Sequence, residues 1–334
     1  MLKGLVFTLL LSVPLFAQSS AVVSAGFLPA APVSVAPGQI LTVYVTGLSV
    51  SSPVHAPAGA LPNSLGGVTA ILRQGSDRAA PIVDVRPVST CPDLVTIPQP
   101  PTCTTLTAVT LQVPYELVTL CPLCERPSLL PAQLLVSANG QNSAAIELNA
   151  LSDQTHVLTA CDLFLLPSGV VPPLNFSGLG CPPMVTHSDG TMVSASKPAN
   201  VGEALTAWAV GLGQTNPAAS TGQPTGNAAQ TVQTFSLDYN YSVNALASKP
   251  FTGRPDVKPP QPLFAGLAPG YPGLYQINFV VPPEPPNGTP RCALLPVAFG
   301  LGASVPQSNL TVSFGGAFSF DGAGICVATR IPID

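Results

Sequence analysis

Short alternating strands bounded by proline and glycine restrict what this chain can fold into more than any other feature. In residues 275–281, YQINFVV, apolar and polar side chains alternate up to Phe279, a period typical of a strand with one buried face. The Pro-Gly pairs at 269–270 and 272–273 suit type II turns, because proline presets φ and glycine accepts a positive φ. The prolines at 282–283 end the strand, since neither can donate a ladder hydrogen bond. With 40 prolines and 29 glycines in 334 residues, long helices are hard to place.

This pattern of a strand beside a proline or glycine turn occurs twice along the chain, which indicates an internal duplication. Three segments match in the same order, each time as a strand beside a proline or glycine turn. The matched pairs are PGQILTVYVTGL (37–48) with VGEALTAWAVGL (201–212), VTLQVP (109–114) with INFVVP (277–282), and LLVSANGQNSAAIEL (134–148) with VAFGLGASVPQSNLTV (297–312). We therefore expect two related units.

The matched segments predict the fold class and the domain boundary. Many short strands with frequent turns are typical of antiparallel β-sandwiches. Because the last strand of the first copy runs out near Leu148, we place the boundary near Leu151. The prediction is an all-β protein of tandem immunoglobulin-like antiparallel β-sandwiches, over residues 18–150 and 151–334, after a signal peptide at 1–17.

The N-terminus and the low charge indicate the compartment and exclude some partners. Lys3 precedes an apolar run at 4–16, and Ala17 follows, which is the layout of a secretory signal peptide. The run is shorter than the roughly 20 residues of a membrane span. We expect an exported chain without a transmembrane anchor, in the periplasm, at the cell surface or outside the cell. Charged residues are 8% of the chain and its net charge is -4, so nucleic acid is not an expected partner.

Eight cysteines in an exported chain predict four disulfides. Neighbouring cysteines form four local groups, and we expect a bond within each, although other connectivities are open. The expected pairs are Cys91–Cys103, Cys121–Cys124, Cys161–Cys181 and Cys292–Cys326. The CPLC motif at 121–124 has two rival interpretations, as part of a zinc site or as a redox motif. Zinc would require a second close pair and the redox motif a βαβ setting, so the disulfide interpretation is favoured.

Two stretches resemble a known group of proteins. The segment HSDGTMVSASKPANVGEALTAWAVGLGQTNP (187–217), followed by GLAPGYPGLYQINFVVP (266–282), resembles a β-domain common in exported proteins of Acidobacteria, Solibacter especially. The segment at 25–49 resembles a related N-terminal unit. This chain departs from that pattern in a longer final hairpin at 302–309 and in its cysteine-bearing segments. The resemblance implies fold and export and no particular chemistry.

Motifs for catalysis and metal binding are absent or weak. The chain contains no Gly-x-Ser-x-Gly, HExxH, Walker or EF-hand sequence. His187-Ser188-Asp189 joins a histidine, a hydroxyl and a carboxylate, but Ser-Asp-Gly is a turn signal and strand neighbours point to opposite faces. Asp153 and Asp162, near the boundary, are candidates to converge with Asp189 on Ca²⁺, which the sequence does not decide. We expect no cofactor and no metal.

Trp208, the single tryptophan, is the most informative candidate for a ligand contact. Packing against a sheet or the neighbouring unit is the usual role of a lone tryptophan. The alternative is an aromatic platform for a sugar ring, which Tyr239, Tyr241 or Tyr271 would complete.

Three hypotheses about function follow. The main one is an exported, non-catalytic structural, adhesion or binding protein, with a polysaccharide or a cell-surface protein as the expected partner. A polysaccharide-binding module that uses Trp208 and the tyrosines is the alternative. A hydrolase of unrecognised type, using His187 and Asp189, is the lesser alternative.

Overall fold

Every regular element in the described part of the chain is a β-strand. The computed structural model describes residues 21–24, 32–45, 47–48, 50–90, 104–119, 131–143, 145–160, 162, 182–225, 234–239, 242–243, 261–283, 292–296 and 304–328. The all-β prediction is confirmed. The proposed signal peptide lies outside these residues, as do Tyr241 and the cysteines at 91, 103, 121, 124, 161 and 181.

The strands of the first unit precede residue 151. They are β1 (Ala21–Ser24), β2 (Val33–Val35), β3 (Ile40–Val45), β4 (Val54–His55), β5 (Ser64–Leu65), β6 (Val68–Gln74), β7 (Ser76–Ala79), β8 (Ile82–Thr90), β9 (Thr104–Gln112), β10 (Ala132–Ala138), β11 (Gln141–Asn142) and β12 (Ile146–Ala150).

The strands of the second unit follow that residue. They are β13 (His156–Val157), β14 (Val185–Thr186), β15 (Ala204–Val210), β16 (Thr234–Asp238), β17 (Ser242–Val243), β18 (Phe264–Leu267), β19 (Tyr275–Val280), β20 (Ala293–Pro296), β21 (Ser304–Ser308), β22 (Leu310–Gly315) and β23 (Phe320–Ile325).

Each unit has two main sheets that contribute to one hydrophobic core. The first sheet has the order β1-β3-β9-β8-β4 and the second β2-β12-β10-β6-β5, with β7 and β11 at its sides. The third has the order β13-β15-β19-β18, with β14 beside β15, and the fourth β16-β22-β23. A fifth sheet, β17-β21-β20, completes the described strands. Alternation determines which side chains enter the cores: Leu41, Val43 and Val45 in the first unit, and Leu205, Ala207 and Ala209 in the second.

Corresponding strands of the two units have the same order and the same register. β3 pairs with β9 through Leu41 and Leu111, and β15 pairs with β19 through Leu205 and Phe279. The turn before each strand is also matched: the backbone N–H groups of Gly38 and Gly202 donate to Val113 and Val281 at 2.9 and 3.1 Å. β1 flanks β3 as β13 flanks β15, and β8 flanks β9 as β18 flanks β19.

The third sequence match, of 134–148 with 297–312, is wrong. In the first unit β10 lies between β6 and β12, and β12 pairs in parallel with β2. In the second unit the strand with two such neighbours is β22, between β16 and β23, and a parallel bridge joins Ala199 to Val327. The hairpin that corresponds to β10–β12 is therefore β22–β23, one strand later. Both candidate segments contain a glycine turn, so the sequence pattern favoured the wrong one.

The two units interlock along a contact that we call the seam. Tyr115 of the first unit is 5% exposed and lies in the hydrophobic core of the second. Its backbone N–H donates to Thr221 Oγ1 at 2.9 Å, and its carbonyl accepts from Gln214. In return, the backbone N–H of Gly222 donates to Gln112 Oε1 at 2.6 Å. Each unit thus inserts a segment into the other.

Substitutions at two equivalent glycines would show how much the Tyr115 ring restricts the turn at the seam. Gly38 and Gly202 have φ of 74° and 78° at equivalent turns. A Cβ on Gly38 would lie 2.2 Å from the Tyr115 ring, whereas one on Gly202 would meet nothing within 4 Å. We expect Gly202→Ala to lower the free energy of unfolding by about 1 kcal/mol, the cost of the left-handed backbone. Gly38→Ala should cost about 2 kcal/mol more, because the ring must move. Equal losses in a denaturant titration would contradict this account of the turn.

Candidate functional site

Three of the four residues proposed as an aromatic platform lie in the described part of the chain. Trp208 lies on β15 in the third sheet, half-buried. Tyr239 follows β16 in the fourth sheet, packs against the core of the second unit and donates its hydroxyl to the Pro282 carbonyl at 3.1 Å. Tyr271 is 62% exposed in the turn before β19. The structure therefore does not bring Trp208 and Tyr239 together, and the role of these residues in ligand binding stays a prediction.

Trp208 has a packing role and an exposed part. Its indole N–H donates to Thr186 Oγ1 at 3.2 Å, and the ring packs against an apolar cluster in which the two units meet. The other members of that cluster are Ile40 and Val83 of the first unit and Leu158, Met184, Val210 and Leu274 of the second. Packing against the neighbouring unit, the usual role of a lone tryptophan, is therefore part of what this side chain does.

His187 and Asp189 bind different partners. His187 Nδ1 lies 2.6 Å from Glu203 Oε1, and its Nε2 lies 3.2 Å from the Lys197 carbonyl oxygen. Asp189 is more than half exposed. Its carboxylate pairs with the Lys197 ammonium group at 2.8 Å and accepts a hydrogen bond from the Thr191 hydroxyl. These bonds hold the pKa of Asp189 well below its usual range. With both ring nitrogens engaged, His187 fastens the loop between β14 and β15, as the turn interpretation predicts.

Glu203 also shows why its counterpart in the first unit needs no charge. Glu203 Oε2 accepts the backbone N–H of Asn200 at 2.8 Å, and Gln39 Oε1 accepts that of Ala36 at 2.9 Å. Each side chain accepts a hydrogen bond from the backbone N–H three residues earlier. An uncharged amide oxygen can accept this bond as well as a carboxylate oxygen can. Burial opposes the charged form of Glu203, but the hydrogen bonds from Asn200 and His187 outweigh it and lower the pKa.

His156 lies between two aspartates at the start of the second unit. Its Nε2 is 3.0 Å from Asp162 Oδ1 and its Nδ1 is 3.4 Å from Asp321 Oδ2. Burial alone would lower the pKa of His156, but the two carboxylates outweigh burial and raise it to about 9. Asp162 also contributes, after burial, to the raised pKa of Tyr44 in the first unit, which Arg86 opposes. The charges of the two units therefore meet near Tyr44.

We expect the stability of the protein to fall above neutral pH because of His156. Its pKa rises from an ordinary 6.5 to about 9 on folding, so the protonated ring stabilises the fold fully below pH 6.5 and loses this effect as pH rises through about 9. The expected loss is on the order of 3 kcal/mol. Denaturant titrations from about pH 6 to about pH 10 measure it. His156→Gln should lower stability at pH 6 and remove this part of the slope; an unchanged slope in that variant would contradict the assignment.

Asp84 and Arg86 form a second buried charge cluster, which the sequence did not reveal. Both side chains are about 1% exposed, and Arg86 Nε lies 2.6 Å from Asp84 Oδ2. His55, half-exposed, places Nδ1 2.7 Å from Asp84 Oδ1. The alternation of 84 and 86 on β8 does predict two charges on one strand face. Their burial could not be predicted, because an outer sheet face normally meets solvent.

The three aspartates near the boundary do not converge. Asp153 accepts the backbone N–H groups of Ala317 and Ser319, whereas Asp162 pairs with His156 and Asp189 with Lys197. Within the described part of the chain no group of three or more His, Cys, Asp or Glu side chains is arranged to hold a metal ion.

A narrow cleft lies beside Asp153, between the two units. Its volume is about 140 Å³, and its lining includes Leu117 of the first unit and Gln214 of the second. Ligand pockets usually exceed about 300 Å³, so this cleft is smaller than an ordinary ligand site.

One of the expected disulfides falls within the described residues. Cys292, before β20, is bonded to Cys326, after β23, with Cα atoms 5.4 Å apart. This confirms the predicted pair, and such a bond is typical of an oxidising compartment. Among the described residues, no helix is long and apolar enough to cross a membrane.

Loss of the Cys292–Cys326 bond should destabilise the second unit. The bond closes a separation of 34 residues, and removing such a constraint costs roughly 4 kcal/mol. Cys292→Ala combined with Cys326→Ala should show this loss in a denaturant titration without reductant. The difference should disappear when both proteins are reduced. A variant as stable as the wild type without reductant would contradict the prediction.

Comparisons with protein-family models, curated protein sequences and solved structures found no match to this chain.

Proposed function

We propose that the chain is an exported, non-catalytic structural or adhesion protein, built as two immunoglobulin-like β-sandwiches that arose by duplication and act as one rigid body. The observation that carries the proposal is the seam. Tyr115 of the first unit is buried in the second core, and Gly222 of the second unit binds Gln112 of the first. A flexible tether would need no such exchange of segments.

The sandwich and duplication parts of the proposal rest on the matched sheets. In each unit two sheets share one core, and the strands around β3 and β9 have the register of those around β15 and β19. In each unit a parallel contact joins an earlier segment to the end of the unit: Val35 pairs with Ala150 in β12, and Ala199 pairs with Val327 just after β23. These features agree with an immunoglobulin-like arrangement.

The histidine environments support a non-catalytic role. Each of the three histidines, His55, His156 and His187, lies against a carboxylate that also makes structural bonds. His187 has both ring nitrogens engaged, so it is not arranged as the base of a hydrolase with Asp189. Export is supported by the Cys292–Cys326 bond together with the N-terminal sequence.

Cell fractionation with an antibody against the protein tests the compartment. We expect it in the cell envelope or the medium, and an exclusively cytoplasmic location would overturn the proposal. The rigid-body claim is tested by binding of the purified mature protein to isolated cell envelopes. Tyr115→Phe should bind as the wild type does, whereas Tyr115→Ala should lose binding. Equal binding by both variants would show that the interlocked form is not required.

A further inference from the structure

The outer face of the third sheet combines aromatic and uncharged polar side chains. On β15 the residues that point away from the core include Thr206 and Trp208, and on β19 they include Gln276 and Asn278. Phe264 on β18 is paired with Asn278 and shares the same side. All five are half-buried, so each keeps some surface accessible to solvent. We call these five residues the neutral face.

Hydrogen bonds within the neutral face order its polar groups. Thr206 Oγ1 donates to Asn278 Oδ1 at 3.0 Å, which fixes the amide so that its N–H groups are directed to other acceptors. The indole N–H of Trp208 is taken up by Thr186. The ring therefore has no remaining polar group to satisfy, and its accessible carbon surface is available for stacking.

The spacing of the aromatic residues suits a chain-like ligand. Trp208 on β15 and Phe264 on β18 are separated by β19 and offset by two residues along the strands, which places their Cα atoms about 12 Å apart on a diagonal across the sheet. Gln276, directly opposite Trp208, and Asn278, directly opposite Phe264, lie between the two rings. A ligand that crosses the strands would thus contact an aromatic surface, then amides, then a second aromatic surface.

The charge of the neutral face selects the chemical class of the ligand. None of its five side chains ionises, so it offers no attraction to phosphate, carboxylate or ammonium groups. Sugar rings present C–H surfaces to aromatic rings and hydroxyl groups to amides and hydroxyls. A protein partner would favour a larger apolar centre than two separated rings.

From this juxtaposition we propose that the neutral face binds an uncharged polysaccharide, with Trp208 and Phe264 stacking on sugar rings and Asn278 and Gln276 hydrogen-bonding their hydroxyls. The inference rests on the proposed function, because it assigns a ligand class to the same non-catalytic body. It differs from the platform expected from the sequence in its members: Phe264, Asn278 and Gln276 take the place of the tyrosines.

The test is a pull-down of the mature protein on three neutral polymers, microcrystalline cellulose, chitin and insoluble xylan, beside calcium alginate gel as an anionic polymer. We expect the wild type to bind at least one neutral polymer. Asn278→Ala should bind it at least 10-fold more weakly, because the hydrogen bond between the Asn278 amide and a sugar hydroxyl is lost. Phe320→Ala is the matched control, since Phe320 is 42% exposed on β23 in another sheet. It should bind as the wild type does.

Trp208→Phe complements Asn278→Ala because phenylalanine keeps much of the packing at the seam. It should weaken binding several-fold while the unfolding midpoint stays close to that of the wild type. Binding to no neutral polymer, binding by Asn278→Ala equal to that of the wild type, or stronger binding to alginate would each overturn the inference. Envelope binding that depends on Tyr115 but not on Asn278 would leave the proposed function intact while removing the glycan site.

Discussion

Replacing Tyr115 by alanine should lower the free energy of unfolding by about 4 kcal/mol, the cost of emptying a buried aromatic site. Tyr115 is 5% exposed, belongs to the first unit and lies in the hydrophobic core of the second. Its ring also covers Gly38, and its hydroxyl lies 3.5 Å from the Tyr275 hydroxyl. The loss should therefore weaken the contact between the units as well as the core of the second.

Tyr115→Phe separates the ring from the hydroxyl. Because the hydroxyl contact is long, at 3.5 Å, the phenylalanine variant should lose about 1 kcal/mol or less. Trp208, the single tryptophan, packs in the cluster that joins the units and reports on the seam by fluorescence, while circular dichroism reports on the strands. In Tyr115→Ala we expect the fluorescence transition to precede the dichroism transition. Coincident transitions with the wild-type midpoint would show that Tyr115 contributes little.

Asp153→Ala is expected to have a similarly large effect, about 4 kcal/mol, because several hydrogen bonds to one buried charge are lost together. Asp153 is 2% exposed at the entry to the second unit, and its carboxylate accepts from a loop that joins β22 to β23. The donors are Ser152 Oγ, the backbone N–H groups of Ala317, Phe318 and Ser319, and Ser319 Oγ, at 2.6–3.0 Å for the shortest bond of each. A Cβ on Gly316 would lie 2.4 Å from Asp153 Cγ, so the loop passes closely over the carboxyl group.

Two further variants show whether the effect belongs to these bonds. Asp153→Asn keeps one acceptor oxygen and the shape, so we expect about half the loss. Asp77→Ala removes a carboxylate that pairs with Arg73 in an exposed ion pair, and such pairs contribute little to stability because solvent screens them. Free energies of unfolding from denaturant titrations compare the three variants. If Asp153→Ala and Asp77→Ala had equal effects, the loop would not depend on Asp153.

Together these residues account for contacts that hold the two units against each other. Tyr115 joins the units through an apolar contact, and Asp153 fastens the start of the second unit to its last hairpin. A member of each charge cluster, Arg86 and Asp162, acts electrostatically on Tyr44. The proposed adhesion or structural role relies on the proposed rigid arrangement of the units, because a rigid body holds a binding face such as the neutral face in a constant orientation.

The local structure of this chain could be predicted from its sequence because it depends on neighbouring residues. The alternation in β15 and β19 predicted their buried faces, and the prolines and glycines predicted the turns. The Cys292–Cys326 pair followed from the grouping of the cysteines. Each depends on the two-residue period of a strand, on fixed φ values or on proximity along the chain.

The site residues depended on contacts between distant parts of the chain, which only the tertiary structure decided. Arg86 and Asp84 look like solvent-facing charges in β8, yet both are buried. Tyr239 resembled a partner for Trp208, but it follows a strand of the other sheet and packs inward. The partner hairpin of β10–β12 was misplaced because two glycine turns satisfy the same local pattern. The two-residue period of a strand determines which side chains share a face. Packing between sheets and between units determines what covers that face.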